Sequence, residues 1–223
     1  EDDASSGGDD GDDDGGEEEE HADTHGDGAV PDADGGGGFD ARGFREAVER
    51  CLGELEALAV RMLPLYARAL RMPPRYFAPA FRSPLVRFRL SRYPPLAPGE
   101  EQEAFGINPH VDTSFFTLLY TTAPGLVVYS QRRRCFVRAP HRPDALVVNT
   151  GQLLAQVTND RWLATRHYAL NPRAGEDRYS LPFFFNATAD FPMAVVPSCC
   201  SPDDPAKYPP TSYLQSQGVA QGE

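Results

Sequence analysis

Residues 1–38 hold sixteen Asp and Glu, no Lys or Arg, and eleven of the chain's twenty glycines. Val30 is their only large apolar side chain. Such a stretch cannot bury enough apolar surface to offset the entropy of ordering its backbone, so a disordered acidic, Gly-rich tail is expected. A fold that uses the whole chain is thereby excluded. The remaining 185 of 223 residues carry 17 acidic and 21 basic side chains, a net of +4. That length suits one domain, residues 39–223, with a substantial core. The formal charge of −12 therefore belongs to the tail and marks no functional surface. A solvated tail or an uncertain gene-model start is the plain reading; an acidic arm that holds off basic partners is the functional alternative.

The first residue is Glu1 rather than Met, so upstream sequence is to be expected. With no apolar h-region and no run of 18 apolar residues, neither a signal peptide nor a membrane partner is expected. Cys51, Cys135, Cys199 and Cys200 form no CxxC pair, and adjacent cysteines seldom bond each other, which points to reduced thiols in a cytoplasmic protein. The cluster Arg132, Arg133, Arg134 lacks aromatic interleaving and reads as a solvated turn, so no nucleic-acid partner is expected. A monomer acting on a small molecule is the expectation.

Asp40 is a plausible helix N-cap ahead of apolar residues at helical spacing from Phe44 to Leu70, which predicts a helix over about 40–71. Pro64 is expected to kink or interrupt it, and Met72-Pro73-Pro74 to end it. From Leu85 the period changes to two, with Val86, Phe88 and Leu90 alternating with Arg87, Arg89 and Ser91. Short apolar runs follow at 115–120, 126–129, 135–137, 145–148, 153–157, 167–170 and 179–185. Pro124-Gly125, Asn159-Asp160 and Gly175 mark turns between them. Seven or eight short strands after one long helix predict a mainly β fold, a sandwich or jelly roll.

Three histidines lie in the domain. His110-Val111-Asp112 is read at the start of a strand, where residues two apart share a face and can grip one metal. His167 follows 55 residues after Asp112, and Arg178 and Ser180 stand two apart on a later strand. His-x-Asp alone is worth little, because it recurs as His21-Ala22-Asp23 and His25-Gly26-Asp27 in the tail. The informative signal is the ordered set of His-x-Asp, His and Arg-x-Ser on successive strands. Two histidines and a carboxylate form the facial triad of non-haem iron(II) oxygenases. An arginine fork with a neighbouring hydroxyl would anchor the distal carboxylate of a ligand that chelates the iron at its other end. His141, in a Pro-bounded loop, reads as a surface histidine, and Trp162 as a packing residue. Phe115, Phe183 and Phe185 fit a pocket lining or a core equally well.

These residues carry a resemblance. Over roughly residues 85–218 the sequence resembles the iron(II)/2-oxoglutarate-dependent dioxygenases, in the branch that includes isopenicillin N synthase. The markers are Ser91-Arg92-Tyr93-Pro94-Pro95, His110-Val111-Asp112, Val147-Val148-Asn149-Thr150-Gly151, Val157-Thr158-Asn159-Asp160, His167 and the run from Arg178 to Asn186. Pro205-Ala206-Lys207-Tyr208-Pro209-Pro210 with Ser212-Tyr213-Leu214 resembles the family's C-terminal segment. The resemblance implies a double-stranded β-helix over about 85–190 and a C-terminal segment over about 191–218. It implies His110, Asp112 and His167 as iron ligands. Arg178 and Ser180 are implied to hold the C5 carboxylate of 2-oxoglutarate, helped by the Tyr93 hydroxyl. The chain departs from the common pattern at Ser91-Arg92, Tyr168 and Gln152, and in lacking the longer N-terminal region of full-length members.

The function so implied is oxidation, by default hydroxylation, of a small organic substrate with Fe(II), 2-oxoglutarate and O2, releasing succinate and CO2. A related oxidase that needs no 2-oxoglutarate would use Arg178 and Ser180 to hold the substrate's own carboxylate. A non-catalytic interaction domain with an acidic arm is the alternative of another class, and has no need of all five residues.

Overall fold

The computed structural model describes residues 38–96, 105–172, 175 and 177–217. Most of the expected acidic tail lies outside them, as do both of its His-x-Asp pairs. The chain enters through helix α1 (Ala41–Ala69), which starts directly after Asp40. Ala59, Leu63 and Ala67, at intervals of four, form its buried stripe. The expected interruption at Pro64 does not occur: the helix runs through it. The carbonyl that loses its partner belongs to Val60, an exposed residue, where water can replace the missing bond. The helix ends at Ala69, and Arg71, with a φ of 57°, then turns the chain into the left-handed region. Met72 N–H then bonds to the Ala67 carbonyl at 2.9 Å and Arg71 N–H to the Arg68 carbonyl at 2.9 Å, a Schellman closure made without glycine.

Two antiparallel sheets follow. The larger contains β1 (Leu85–Phe88), β2 (Ser91–Tyr93), β4 (Phe116–Thr121), β7 (Val147–Thr150) and β9 (Arg178–Asn186), in the order β1-β9-β4-β7 with β2 also paired to β9. The smaller contains β3 (Phe105–His110), β5 (Leu126–Ser130), β6 (Cys135–Arg138) and β8 (His167–Leu170), in the order β3-β8-β5-β6. Together they make the expected mainly β fold with a flanking helix, a double-stranded β-helix or jelly roll.

Strand alternation divides the larger sheet into two faces. Phe116, Leu118, Phe183 and Phe185 point outward into an aromatic core with Phe77, Phe81, Phe115 and the stripe of α1. Phe81 stacks on Phe185 at 5.0 Å and Tyr66 of α1 stacks on Phe116 at 5.1 Å. The inner face, toward the smaller sheet, carries Thr117, Asn149, Arg178 and Ser180, which line the cavity between the sheets. Phe115, Phe183 and Phe185 are thus core residues, and Trp162 packs against the same core beside Tyr66.

Two further stretches depart from the expected strand pattern. The run 153–157, counted among the strands, is helix α2 (Gln152–Val157), with Leu153, Leu154, Ala155 and Val157 buried. A short apolar run buried all round has no period that separates the two states. His110-x-Asp112 does not open a strand either: His110 is the last residue of β3, and Asp112 lies in the loop before β4. The C-terminal segment packs back on α2 through Val196 N–H to the Val157 carbonyl at 2.8 Å. Buried Asn159, with a φ of 55°, accepts from Lys207 N–H at 2.9 Å and so ties that segment to the turn after α2. Helix α3 (Tyr213–Ser216) closes the described chain behind a Ser212/Gln215 capping box.

Candidate metal centre

Strand pairing places the two histidines. His110 and His167 are direct partners across β3 and β8, with ring centroids 4.4 Å apart. Each ring has Nδ1 at 2.8 Å from a backbone carbonyl two residues upstream, Asn108 for His110 and Thr165 for His167. A carbonyl can only accept, so Nδ1 carries a proton in both rings, and Nε2 is the nitrogen that a neutral ring would offer to a metal. Those two nitrogens face Asp112 Oδ1 at 3.7 and 3.8 Å. Ligand atoms of all three residues lie within 4.8 Å of one another, the one such cluster of three or more among the described residues.

Asp112 is only 6% exposed, and its carboxylate is divided by its hydrogen bonds. Oδ2 accepts from the Thr117 hydroxyl at 2.6 Å and from the Asn149 amide at 2.7 Å. Thr117 spends its one proton there, so the Ser114 hydroxyl, 3.0 Å away, donates to Thr117. Oδ1 is left facing the histidines. The loop that carries Asp112 is held by Gln152 N–H on the Asp112 carbonyl at 2.8 Å. It also depends on Gly151, where a Cβ would overlap the Ser114 carbonyl. Helix α2 therefore starts where it braces the metal loop. Thr117 and Asn149 were given no role from sequence. Their signal was there: each is a polar residue in an otherwise apolar strand run, on the inward phase of the alternation.

Further along the inner face, Arg178 is 1% exposed. Its Nε reaches the Ala123 carbonyl at 3.3 Å, while its Nη1 is buried without a hydrogen-bond partner. Burial pulls its pKa below the ordinary value, opposed by Tyr93, whose ring lies 4.9 Å from the guanidinium carbon. A guanidinium stays charged even so. Gly125, at a φ of 144°, makes room: a Cβ there would meet the Leu170 carbonyl oxygen at 2.9 Å and Arg178 Nε at 3.0 Å. Ser180 is paired with Ser91 across β2 and β9, and Tyr93 with Arg178.

His110, Asp112, His167, Arg178, Ser180 and Tyr93 all line one cavity of about 60 Å³ between the sheets. Beyond the histidines a wider hollow of about 560 Å³ shares Arg89, Ile107, His110, Asp112 and Phe184 with it. The donor set, two imidazoles and one carboxylate oxygen, suits a divalent iron. The unpartnered charged nitrogen of Arg178 suits a carboxylate. His141 stands apart. It is half-buried rather than on the surface, because its Nε2 lies 2.9 Å from the Thr121 carbonyl.

Comparison with known proteins agrees with this site. The family model of the 2OG-Fe(II) oxygenase superfamily matches residues 84–187. A 2-oxoglutarate-Fe(II) type oxidoreductase, hxnY of Emericella nidulans, is 31% identical over 82% of this chain and 55% of its own length. The proline hydroxylase buaE of Petromyces alliaceus is 29% identical over 76% of this chain and 56% of its own. Among solved structures, JOX2 in complex with 2OG, Fe and JA superposes with a TM-score of 0.72 at 25% identity, covering 82% of this chain and 55% of that one. A protein of the 2OG-Fe(II) oxygenase family from Caulobacter crescentus gives 0.70 at 27% identity, covering 79% and 59%. The chain belongs to the 2OG-Fe(II) oxygenase superfamily. It spans about half the length of the curated relatives it matches.

Proposed function

We propose that the protein is a non-haem oxygenase dependent on Fe(II) and 2-oxoglutarate, which oxidises, by default hydroxylates, a small organic substrate. One observation carries this reading: two imidazole Nε2 atoms, one carboxylate oxygen turned toward them and a buried arginine nitrogen without a partner line a single cavity. His110, Asp112 and His167 would hold the iron. Arg178, with Ser180 and the Tyr93 hydroxyl, would hold the far carboxylate of 2-oxoglutarate. When bound with O2, iron and 2-oxoglutarate supply an oxidant while the cosubstrate leaves as succinate and CO2.

The chain's own residues have defined tasks in this reading. The Nδ1 bonds to Asn108 and Thr165 fix the imidazole tautomers and aim both Nε2 atoms. Thr117 and Asn149 occupy Oδ2 of Asp112 and leave Oδ1 for the metal. Leu119, Leu126, Ala169 and Pro182 line the cavity with apolar surface that keeps water from the reacting centre.

The Arg178–Asn186 stretch supports a place in the isopenicillin N synthase-like branch. Four free cysteines support a reducing, cytoplasmic setting. The working unit is a monomer of one oxygenase domain, residues 39–223, behind the acidic tail, with neither nucleic acid nor membrane as partner.

The test is anaerobic loading with iron(II), then addition of 2-oxoglutarate while watching for metal-to-ligand charge-transfer absorption. The expected result is a band that Arg178→Ala abolishes. Iron binding with no response to 2-oxoglutarate would move the reading to the oxidase that needs no cosubstrate. No iron binding at all would leave the non-catalytic interaction domain.

A further inference from the structure

The stretch from β1 through β2 carries three arginines, and its alternation along β9 sends them to different places. Arg92 points outward and is satisfied there by an ion pair with Asp177 at 2.6 Å. Arg87 and Arg89 point inward. Arg87 lies opposite Phe184 on β9, and Arg89 N–H is fixed to the Pro182 carbonyl at 3.1 Å. Both side chains are exposed, and both line the wide hollow that opens onto His110 and Asp112. Neither takes part in an ion pair among the described residues. The only carboxylate among the hollow's described lining is Asp112, whose Oδ2 is taken by Thr117 and Asn149 and whose Oδ1 faces the histidines.

Arg87 lies in β1 and Arg89 in the extended link to β2, so their guanidinium groups rise from Cα atoms about 6.6 Å apart. Without a counter-charge they repel each other, and one anion between them relieves both. The rest of the lining mixes apolar Phe88, Leu90, Ile107, Val111 and Phe184 with Thr113, Ser114 and Tyr213. Arg178 lies in the deep cavity and is absent from this lining, so the outer pair is not part of the cosubstrate anchor.

We infer that Arg87 and Arg89 form an anion subsite at the mouth of the metal centre, and that the substrate is a small carboxylic acid with an apolar body. Its carboxylate docks on the arginine pair, and its body lies along Phe184 and Ile107 toward His110 and Asp112. This inference rests on the oxygenase reading for what happens to the acid, but not for its binding.

The experiment compares phenylacetate with phenylacetamide, and hexanoate with hexanamide, on the full chain. Binding is read as a Tm shift, both without additions and with iron(II) and saturating 2-oxoglutarate under anaerobic conditions. Each acid is expected to bind at least about tenfold more tightly than its amide, with a preference that weakens as salt is raised. Arg87→Gln should abolish the preference, Arg89→Gln should reduce it, and Arg87→Lys should restore part of it. Amides that bind as well as acids, a preference that survives Arg87→Gln, acids that only displace 2-oxoglutarate, or no acid binding at millimolar concentration would each overturn the inference. A missing 2-oxoglutarate response beside an intact acid preference would remove the cofactor reading and leave the subsite standing.

Discussion

Phe183 and Phe185 on one face of β9 are fully buried in an aromatic core against α1, while Phe184 between them lines the cavity that holds the candidate metal ligands. The same division runs along β4, where Phe116 and Leu118 face the core and Thr117 faces Asp112. One face holds the fold together by dry packing. The other gives up packing for polar groups whose partners are only partly supplied by the protein. Substitutions on the two faces should therefore separate stability from ligand binding.

Four measurements break or sharpen that contrast. Phe185→Ala should have the largest effect, costing about 3–5 kcal/mol of stability by chemical denaturation. Iron affinity of the molecules that remain folded should be unchanged. On the other face, Thr117→Val should weaken iron(II) binding by about 10–100-fold, read by metal titration. Its cost in stability should stay near about 1–2 kcal/mol, because it leaves one carboxylate oxygen with one donor fewer. A variant that unfolded like Phe185→Ala but kept its iron affinity would erase the distinction between the faces. Phe184→Ala, the same residue type turned inward and half-buried, should cost less than half as much as its neighbour Phe185 in the same denaturation assay.

The smallest effect belongs to pH. Burial against Phe116 pushes the Tyr66 phenol up to about 12 from an ordinary 10.0. The folded protein holds the protonated form, so this contribution to stability is complete below pH 10.0 and is lost as pH rises through about 12. Difference absorbance titration should show a phenol ionising near pH 12 that is absent from Tyr66→Phe and from the unfolded chain.

Much of the inner face was legible in the sequence because period-2 alternation is strong there. Arg178 and Ser180 are polar positions in an aromatic strand, and they share one cavity with the triad. What escaped has local causes. Strand β3 reads Phe-Gly-Ile-Asn-Pro-His, where glycine and proline hide a strand that survives only because it lies at a sheet edge. Helix α2 looked like a strand because burial on all sides erased its period. Pro64 looked like a break because the sequence does not say that the freed carbonyl is exposed. The bond of Thr117 to Asp112 spans five residues across a loop whose course depends on α2, which no local pattern encodes.

The pairing of His110 with His167 has a consequence for the edge of the smaller sheet. Strand β3 meets β8 in only three matched positions, with register shifts between them, and His110 sits at the last. An edge held so loosely is the part of a sheet that opens first. Any ion gripped by both rings fastens that edge to its neighbour, and any fraying of β3 withdraws a ligand. Opening of the edge strand and release of the ion are then one equilibrium, and hydrogen exchange at Ile107 should report metal occupancy.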